Sequence, residues 1–235
     1  MLSPSEKYSS VGISIQYNVA TAHILVIGYR WLYEVPRILH RDISLNNLML
    51  RKEDGNVYAV LNDLDLAVDA DAKSQSSKHR TGTKPFMAID LLSGEPTDHL
   101  YRHDLESLFF VLVWITARHD GEDIPKPPLQ EWAEGDHQRV MESKSSFLLK
   151  PSLIPTKRFA SLELHISRMH VMFRQGHVAR SNARDIARAN SRFNLASEPE
   201  TSHFDDVTLG GLVTFDAFQS ILDADLPICS ASSSA

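Results

Sequence analysis

The sequence predicts a mainly helical α+β fold with one small β-hairpin. Three observations predict it. Apolar residues recur at helical spacing from Tyr17 to Val35 and from Leu105 to Ile115. Two further helical stretches, 129–150 and 159–175, are separated by Pro151 and Pro155. Strand-like runs at Leu48–Leu50 and Val57–Leu61 flank Lys52-Glu53-Asp54-Gly55-Asn56, whose composition suits a tight turn.

Taken in order, residues 1–16 are Ser-rich and are expected to be a flexible N-terminus. The first helix carries Val19, Ala22, Ile24, Leu25, Ile27 and Leu32, and Pro36 stops it. The hairpin brings Asn47 and Asp63 to neighbouring strand ends. Val68 to Arg80 is polar and reads as a solvated loop. His103-Asp104 opens the most apolar helix, where an acid favours the exposed N–H groups of the first turn. Ile124-Pro125-Lys126-Pro127-Pro128 reads as a rigid exposed loop. Arg180, Arg184, Arg188 and Arg192 recur every fourth residue and read first as a solvated basic stripe, with an acid-binding face as the lesser alternative. Ser197 to Asp206 is an acidic linker, Leu209 to Leu222 closes the domain with a short helix, and 226–235 is expected to be a disordered tail.

Whole-chain properties exclude several classes. The 235 residues suit one large or two small domains. A formal net charge of -6 gives no sign of nucleic-acid binding. Cys229 is the single cysteine, so no disulfide can form within the chain. That fits a reducing compartment, and an intracellular protein, cytoplasmic or nuclear, is expected. Met1–Ser14 lacks a basic segment followed by an apolar core, so no secretory signal is expected. The apolar run Leu105–Ala117 is too short to span a bilayer and contains Glu106, so no membrane is expected. His165, His170 and His177 have no zinc-ligand spacing and are expected at the surface.

The stretch His40-Arg41-Asp42-Ile43-Ser44-Leu45-Asn46-Asn47, followed after the hairpin by Asn62-Asp63-Leu64-Asp65, suits phosphoryl transfer. One carboxylate can orient a hydroxyl and accept its proton, while an amide oxygen and a second carboxylate hold Mg2+ against phosphates. Here the chain resembles the protein kinases. His40-Arg41-Asp42 with Asn47 follows their catalytic-loop pattern, and Asp63-Leu64-Asp65 stands where the metal-binding triplet belongs. Ser44, the Asp-Leu-Asp triplet and Arg80-Thr81-Gly82-Thr83 before Phe86-Met87-Ala88 are similar to the fungal-type protein kinase family. Read alone, His-Arg-Asp would be a surface turn, Asp104 an N-cap and Asp65 a capping residue.

The resemblance implies roles. Asp42 is the base, Asn47 holds metal and orients Asp42, and Asp63 is the metal ligand. Thr83 hydrogen-bonds the base. His40 packs under the metal-binding triplet. Arg41 receives an acidic or phosphorylated group from the activation segment, where Ser74, Ser76, Ser77 and Thr81 are candidate acceptors. Ser44 stands where many kinases carry a lysine against the transferred phosphate, and Asp63 shares that cofactor-facing position. Ala88-Ile89-Asp90 replaces the Ala-Pro-Glu triplet, so Asp90 takes the glutamate's place in a buried ion pair with a downstream arginine that the sequence does not identify. Asp104 caps the central helix and accepts from the backbone near His40 and Arg41.

The implied cofactors are ATP and Mg2+, and the implied partner is a protein substrate. The resemblance covers roughly 17–225, the large lobe of the fold. Only 39 residues precede His40, and no Gly-x-Gly-x-x-Gly occurs there, so the ATP-binding small lobe is expected to be absent. Three functions remain open: Ser/Thr phosphorylation, weak or absent in this chain alone; a catalytically inactive protein-binding module; and a small-molecule phosphotransferase, against which Thr83 and Asp104 argue. An exposed apolar patch, covered by a partner, is expected where the small lobe would pack.

Overall fold

Helices dominate the computed structural model, which describes residues 19–53, 56–72, 81–93, 97–120, 126–150, 154–193 and 204–224. In chain order these are α1 (Val19–Glu34), β1 (Ile38–Leu39), a 3-10 turn (Leu45–Asn47), β2 (Leu48–Glu53), β3 (Asn56–Leu61), β4 (Val68–Asp69), α2 (Ile89–Leu92), α3 (Tyr101–Arg118), α4 (Gln130–Glu134), α5 (His137–Leu149), a second 3-10 turn (Lys157–Leu162), α6 (Glu163–Arg192) and α7 (Phe215–Asp223). The strands form two antiparallel pairs, β1 with β4 and β2 with β3.

α3 is the axis of the core. Every residue in it except Trp114 and Arg118 is buried. Around it the aromatic side chains interlock: Phe109 stacks on Phe173 of α6 at 5.1 Å, and Phe110 meets the edge of Trp132 of α4 at 5.2 Å. Tyr101 stacks on Phe215 of α7 at 4.9 Å. Each large side chain so buried stabilises the fold by about 1.5–3 kcal/mol before entropy is counted. α1 adds Ala22, Leu25, Val26 and Tyr29 on its inner face and ends just before Pro36.

The expected hairpin forms, with Leu48 opposite Leu61 and Glu53 opposite Asn56. The turn residue Gly55 lies outside the described residues, as do 1–18, the candidate phosphate acceptors Ser74, Ser76 and Ser77, and residues 225–235.

Four expectations need correction. The stretch 129–150 holds two helices, because Gly135 closes α4 and Asp136 starts α5 by accepting from the Arg139 N–H at 2.9 Å. The helix expected over 159–175 begins at Glu163 and runs 30 residues to Arg192, taking in the arginine stripe. His165 and His170 are buried, not at the surface. They fall on the inner face of α6 with Ile166, Met169 and Phe173, and His170 Nε2 lies 3.0 Å from the Phe147 carbonyl. Arg180 shares that face and is buried, whereas Arg184, Arg188 and Arg192 are exposed. No helix among the described residues is long and apolar enough to cross a membrane.

Candidate functional site

The site is built on the turn between β1 and the first 3-10 helix. Arg41 there has φ 68°, a left-handed backbone that a non-glycine residue holds only when its surroundings compel it. Asp104, on the first turn of α3, supplies the compulsion. Its Oδ2 accepts from the His40 N–H at 2.9 Å and its Oδ1 from the Arg41 N–H at 3.2 Å. His99 Nε2 lies 2.7 Å from the same carboxylate. Burial pushes the Asp104 carboxyl up, but His99, the Tyr29 hydroxyl and His40 together outweigh it and hold the group below the usual carboxylate range.

The His40 ring ties this turn to the end of β3. Its Nε2 lies 3.1 Å from the Asn62 carbonyl, and its Nδ1 is 3.4 Å from the Asp42 N–H. The backbone N–H can only donate, so Nδ1 is the acceptor and the ring proton sits on Nε2.

Asp42 lies between two neighbours. The Thr83 N–H and hydroxyl donate to its Oδ1 at 2.9 and 2.8 Å. Asn47 Nδ2 donates to its Oδ2 at 3.2 Å and to its carbonyl at 2.9 Å. Three donors fix the plane of a half-buried carboxylate that still reaches solvent. The Asn62 N–H donates to the Asn47 carbonyl at 2.8 Å, which sets Asp63 beside Asn47. Asp63 also has a left-handed backbone, φ 63°, and is exposed. The Asp65 N–H folds back on its Oδ1 at 3.3 Å. Ser44 is buried.

The donor set fits Mg2+. Both bonds made by the Asn47 amide use Nδ2, which leaves Oδ1 for a cation, and Asp63 adds an exposed carboxylate. Two hard oxygens are what Mg2+ takes when waters and phosphates complete its octahedron. No cluster of three or more His, Cys, Asp or Glu suited to a metal occurs among the described residues.

The Thr83 loop is anchored from behind. The Thr83 carbonyl accepts from the Phe86 and Met87 N–H groups at 2.9 and 3.0 Å. Lys144 of α5, wholly buried, sends its amine to the Met87 carbonyl at 2.5 Å and lies 4.0 Å from the centre of the Phe110 ring. Burial pushes that amine well below its usual range, against the pull of Glu106. Gly82 has φ 120°, and a Cβ there would approach the Arg41 carbonyl at 3.3 Å. Gly82→Ala is therefore expected to cost about 1–3 kcal/mol, read as a lowered urea midpoint.

Asp90 closes the loop. The sequence left its arginine unidentified, and the structure gives it two. Arg102 Nη2 donates to Oδ2 at 2.6 Å, and Arg180 Nη1 pairs with Oδ1. His103 Nε2 lies 3.5 Å away, at the outer limit of a hydrogen bond. Arg180 also reaches Asp206 at 2.6 Å. Burial raises the Asp90 carboxyl, but His103, Arg102 and His177 hold it far below the usual range. Beside it, Glu106 accepts from the Ile89 N–H at 3.0 Å, and His177 Nε2 lies 3.2 Å from its other oxygen. The shorter acid thus keeps a buried pair. Arg180 is drawn off the solvated stripe by it.

Every candidate of the sequence reading takes part in these hydrogen bonds, Ser44 through its carbonyl, which accepts from the Asn47 N–H at 3.1 Å. Arg41 Nη2 donates to the Thr81 hydroxyl at 3.1 Å. The sequence reading missed His99, Arg102, His177, Arg180 and Lys144. Glu106 gave one signal, a charge within an otherwise apolar helix, which needs a buried partner.

Residues 23–116 match the family model of the fungal protein kinase. This is the family that the catalytic-loop residues resemble, and the match takes in Asp42, Asn47, Asp63, Thr83, Asp90 and Asp104. No curated protein matches the chain.

Proposed function

We propose, from the fungal protein kinase character of residues 23–116, that this chain carries the acceptor half of a site for phosphorylating protein Ser/Thr hydroxyls. The observation that supports this reading is the Asp42 carboxylate, gripped by Thr83 on one oxygen and Asn47 on the other. Its remaining lone pairs orient an acceptor hydroxyl and take its proton as the oxygen attacks. Thr83 belongs to the loop that Lys144 and Glu106 hold, so the surface that receives the protein substrate and the base move as one body. Asn47 and Asp63 would hold Mg2+. Bound Mg·ATP supplies the phosphoryl group and neutralises the charge that develops on it.

This polypeptide by itself is a slow catalyst on this reading, because its sequence has no Gly-x-Gly-x-x-Gly to cover the phosphates. Calorimetry of Mg·ATP against the purified chain, with Asp63→Asn as control, tests it. The expected result is millimolar binding that the variant loses. Binding unchanged in Asp63→Asn would remove Asp63 from the metal site. Absence of binding at millimolar ATP would favour a second reading, a protein-binding module without catalysis.

One observation supports that second reading. α1 turns Ile24, Ile27 and Trp31 to solvent along one face, and Val35 extends it. A partner that covers this face is expected, and the free chain is expected to bind a hydrophobic dye. Ile27→Lys with Trp31→Lys should lower the dye signal without changing the melting curve.

A further inference from the structure

Glu106 is wholly buried on α3, and its two oxygens face different parts of the molecule. Oε1 accepts from the Ile89 N–H at 3.0 Å, near the end of the loop that begins at Thr83. Oε2 lies 3.2 Å from His177 Nε2 on α6. One carboxylate therefore fastens the Thr83–Asp90 loop to the bundle, with an imidazole as its counter-group. The His177 side chain is 17% exposed, whereas that of Glu106 is fully enclosed. A proton can reach this imidazole from solvent without the bundle opening.

The charges around His177 come from four helices. Glu106 of α3 touches it, and Asp90 of α2 adds a second negative charge. Arg102 of α3 opposes the proton, and Lys144 of α5 shares Glu106 with it. On α6 itself Arg174 and Arg180 lie three residues to either side, and Arg180 is met by Asp90 and Asp206. Burial also opposes the proton, but the acids prevail and hold the imidazole above its usual range. His103, the imidazole beside Asp90, is pushed down to about 4 by burial and stays neutral at neutral pH. Asp90 and Glu106, held low, stay ionised there.

Lifting the loop off α3 would let water in at Ile89 and solvate Glu106. The imidazole would then lose much of the attraction that keeps its proton. The closed loop thus binds this proton more tightly than the open one does. Its contribution to closure is complete below about pH 6.5 and is lost as pH rises through the closed-state value.

We propose that His177 is a proton-operated latch on the loop that receives the protein substrate: protonated, it draws the loop onto α3 through Glu106 and so tightens the grip of Thr83 on Asp42, and deprotonated, it lets the loop open. The proposal rests on the reading of Thr83–Asp90 as that loop. Its test needs no ATP, so a missing latch and missing phosphoryl transfer are separate results. Hydrogen exchange of the full chain, followed by NMR at about pH 6 and about pH 8, is expressed as protection factors so that base catalysis of the intrinsic rate cancels. The Met87 and Ile89 amides should exchange ahead of those at the centre of α3, and should lose at least threefold in protection at the higher pH. The midpoint of that loss should coincide with the His177 ring titration, a comparison that needs no variant. His177→Gln, whose amide can still donate to Glu106, should remove the pH difference. Glu106→Gln, which keeps an acceptor for the Ile89 N–H, should remove it too and lower the His177 midpoint. Equal protection at the two pH values, a midpoint apart from that of His177, or a loop that exchanges only together with α3 overturns the proposal. So does a pH difference that survives His177→Gln.

Discussion

Asp90→Ala will cost about 3–5 kcal/mol of folding free energy, the usual consequence of removing one partner from a buried ion pair. Arg102 is wholly buried and Arg180 nearly so, and both guanidinium groups meet this single carboxylate. Without it, two cations remain in a desolvated space, Arg180 beside the Asp206 carboxylate and Arg102 held by the neutral Asp206 carbonyl at 2.5 Å. The loss will be read from urea unfolding as a shifted midpoint with unchanged slope. A loss under 1 kcal/mol would show that water enters the cluster and screens it. The same cluster sets an acid limb. Asp90, Asp104 and Glu106 are all held below their ordinary values in the fold. Groups of that sign contribute stability above their unfolded pKa of about 4 and lose it as pH falls. His103, pushed down to about 4 by burial, acts in the same direction between about pH 6.5 and 4, where the unfolded chain takes up a proton that the fold refuses. His177 has the opposite sign. Burial lowers it, but Glu106 outweighs burial and raises it, so its contribution is complete below about pH 6.5 and is lost as pH rises through the folded value. The urea midpoint should therefore fall steeply below about pH 5, and His177→Gln should remove part of the decline on the alkaline side.

Asp104→Ala will have the second largest effect and will reach the candidate site. The substitution leaves the His40 and Arg41 N–H groups without their acceptor, at about 1–3 kcal/mol for each buried donor. Nothing then compels the left-handed backbone of Arg41, so the turn relaxes and Asp42 leaves the grip of Thr83 and Asn47. Hydrogen exchange should show His40 and Arg41 amides opening at least a hundredfold faster, and the Thr83 amide following. An unchanged Thr83 amide would mean that the loop before α2 holds Asp42 in place by itself.

The parts of this arrangement that the sequence carries openly are those close together in the chain. Asp42, Asn47 and Asp63 lie on one turn and one hairpin, and turn chemistry with strand alternation places them. Asp104 is readable because an acid at a helix start has few other uses. The arginines of Asp90 are not readable in this way, since Arg180 is 90 residues downstream and shares its spacing with three exposed arginines. Only the inner face of α6, fixed by Phe173 and Gly176 against the core, decides which arginine goes in. Gly176 is itself informative in retrospect, because a Cβ there would lie 2.9 Å from Leu209 and push the 204–214 segment away. His165 and His170 were misplaced for a related reason. Histidine has no strong preference for surface or core, and helical phase outranks residue type.

The three tryptophans occupy three different surroundings. Trp31 is 59% exposed on α1, Trp114 is half-buried under Arg118, and Trp132 is fully enclosed with its Nε1–H on the Ser143 hydroxyl. The protein thus contains its own optical gauges. A ligand that covers α1 will shift the emission of Trp31 to the blue and leave Trp132 silent, whereas loosening of α4 from α5 will shift Trp132 to the red. Single-tryptophan versions would distinguish partner capture from local melting in one titration, with no label attached.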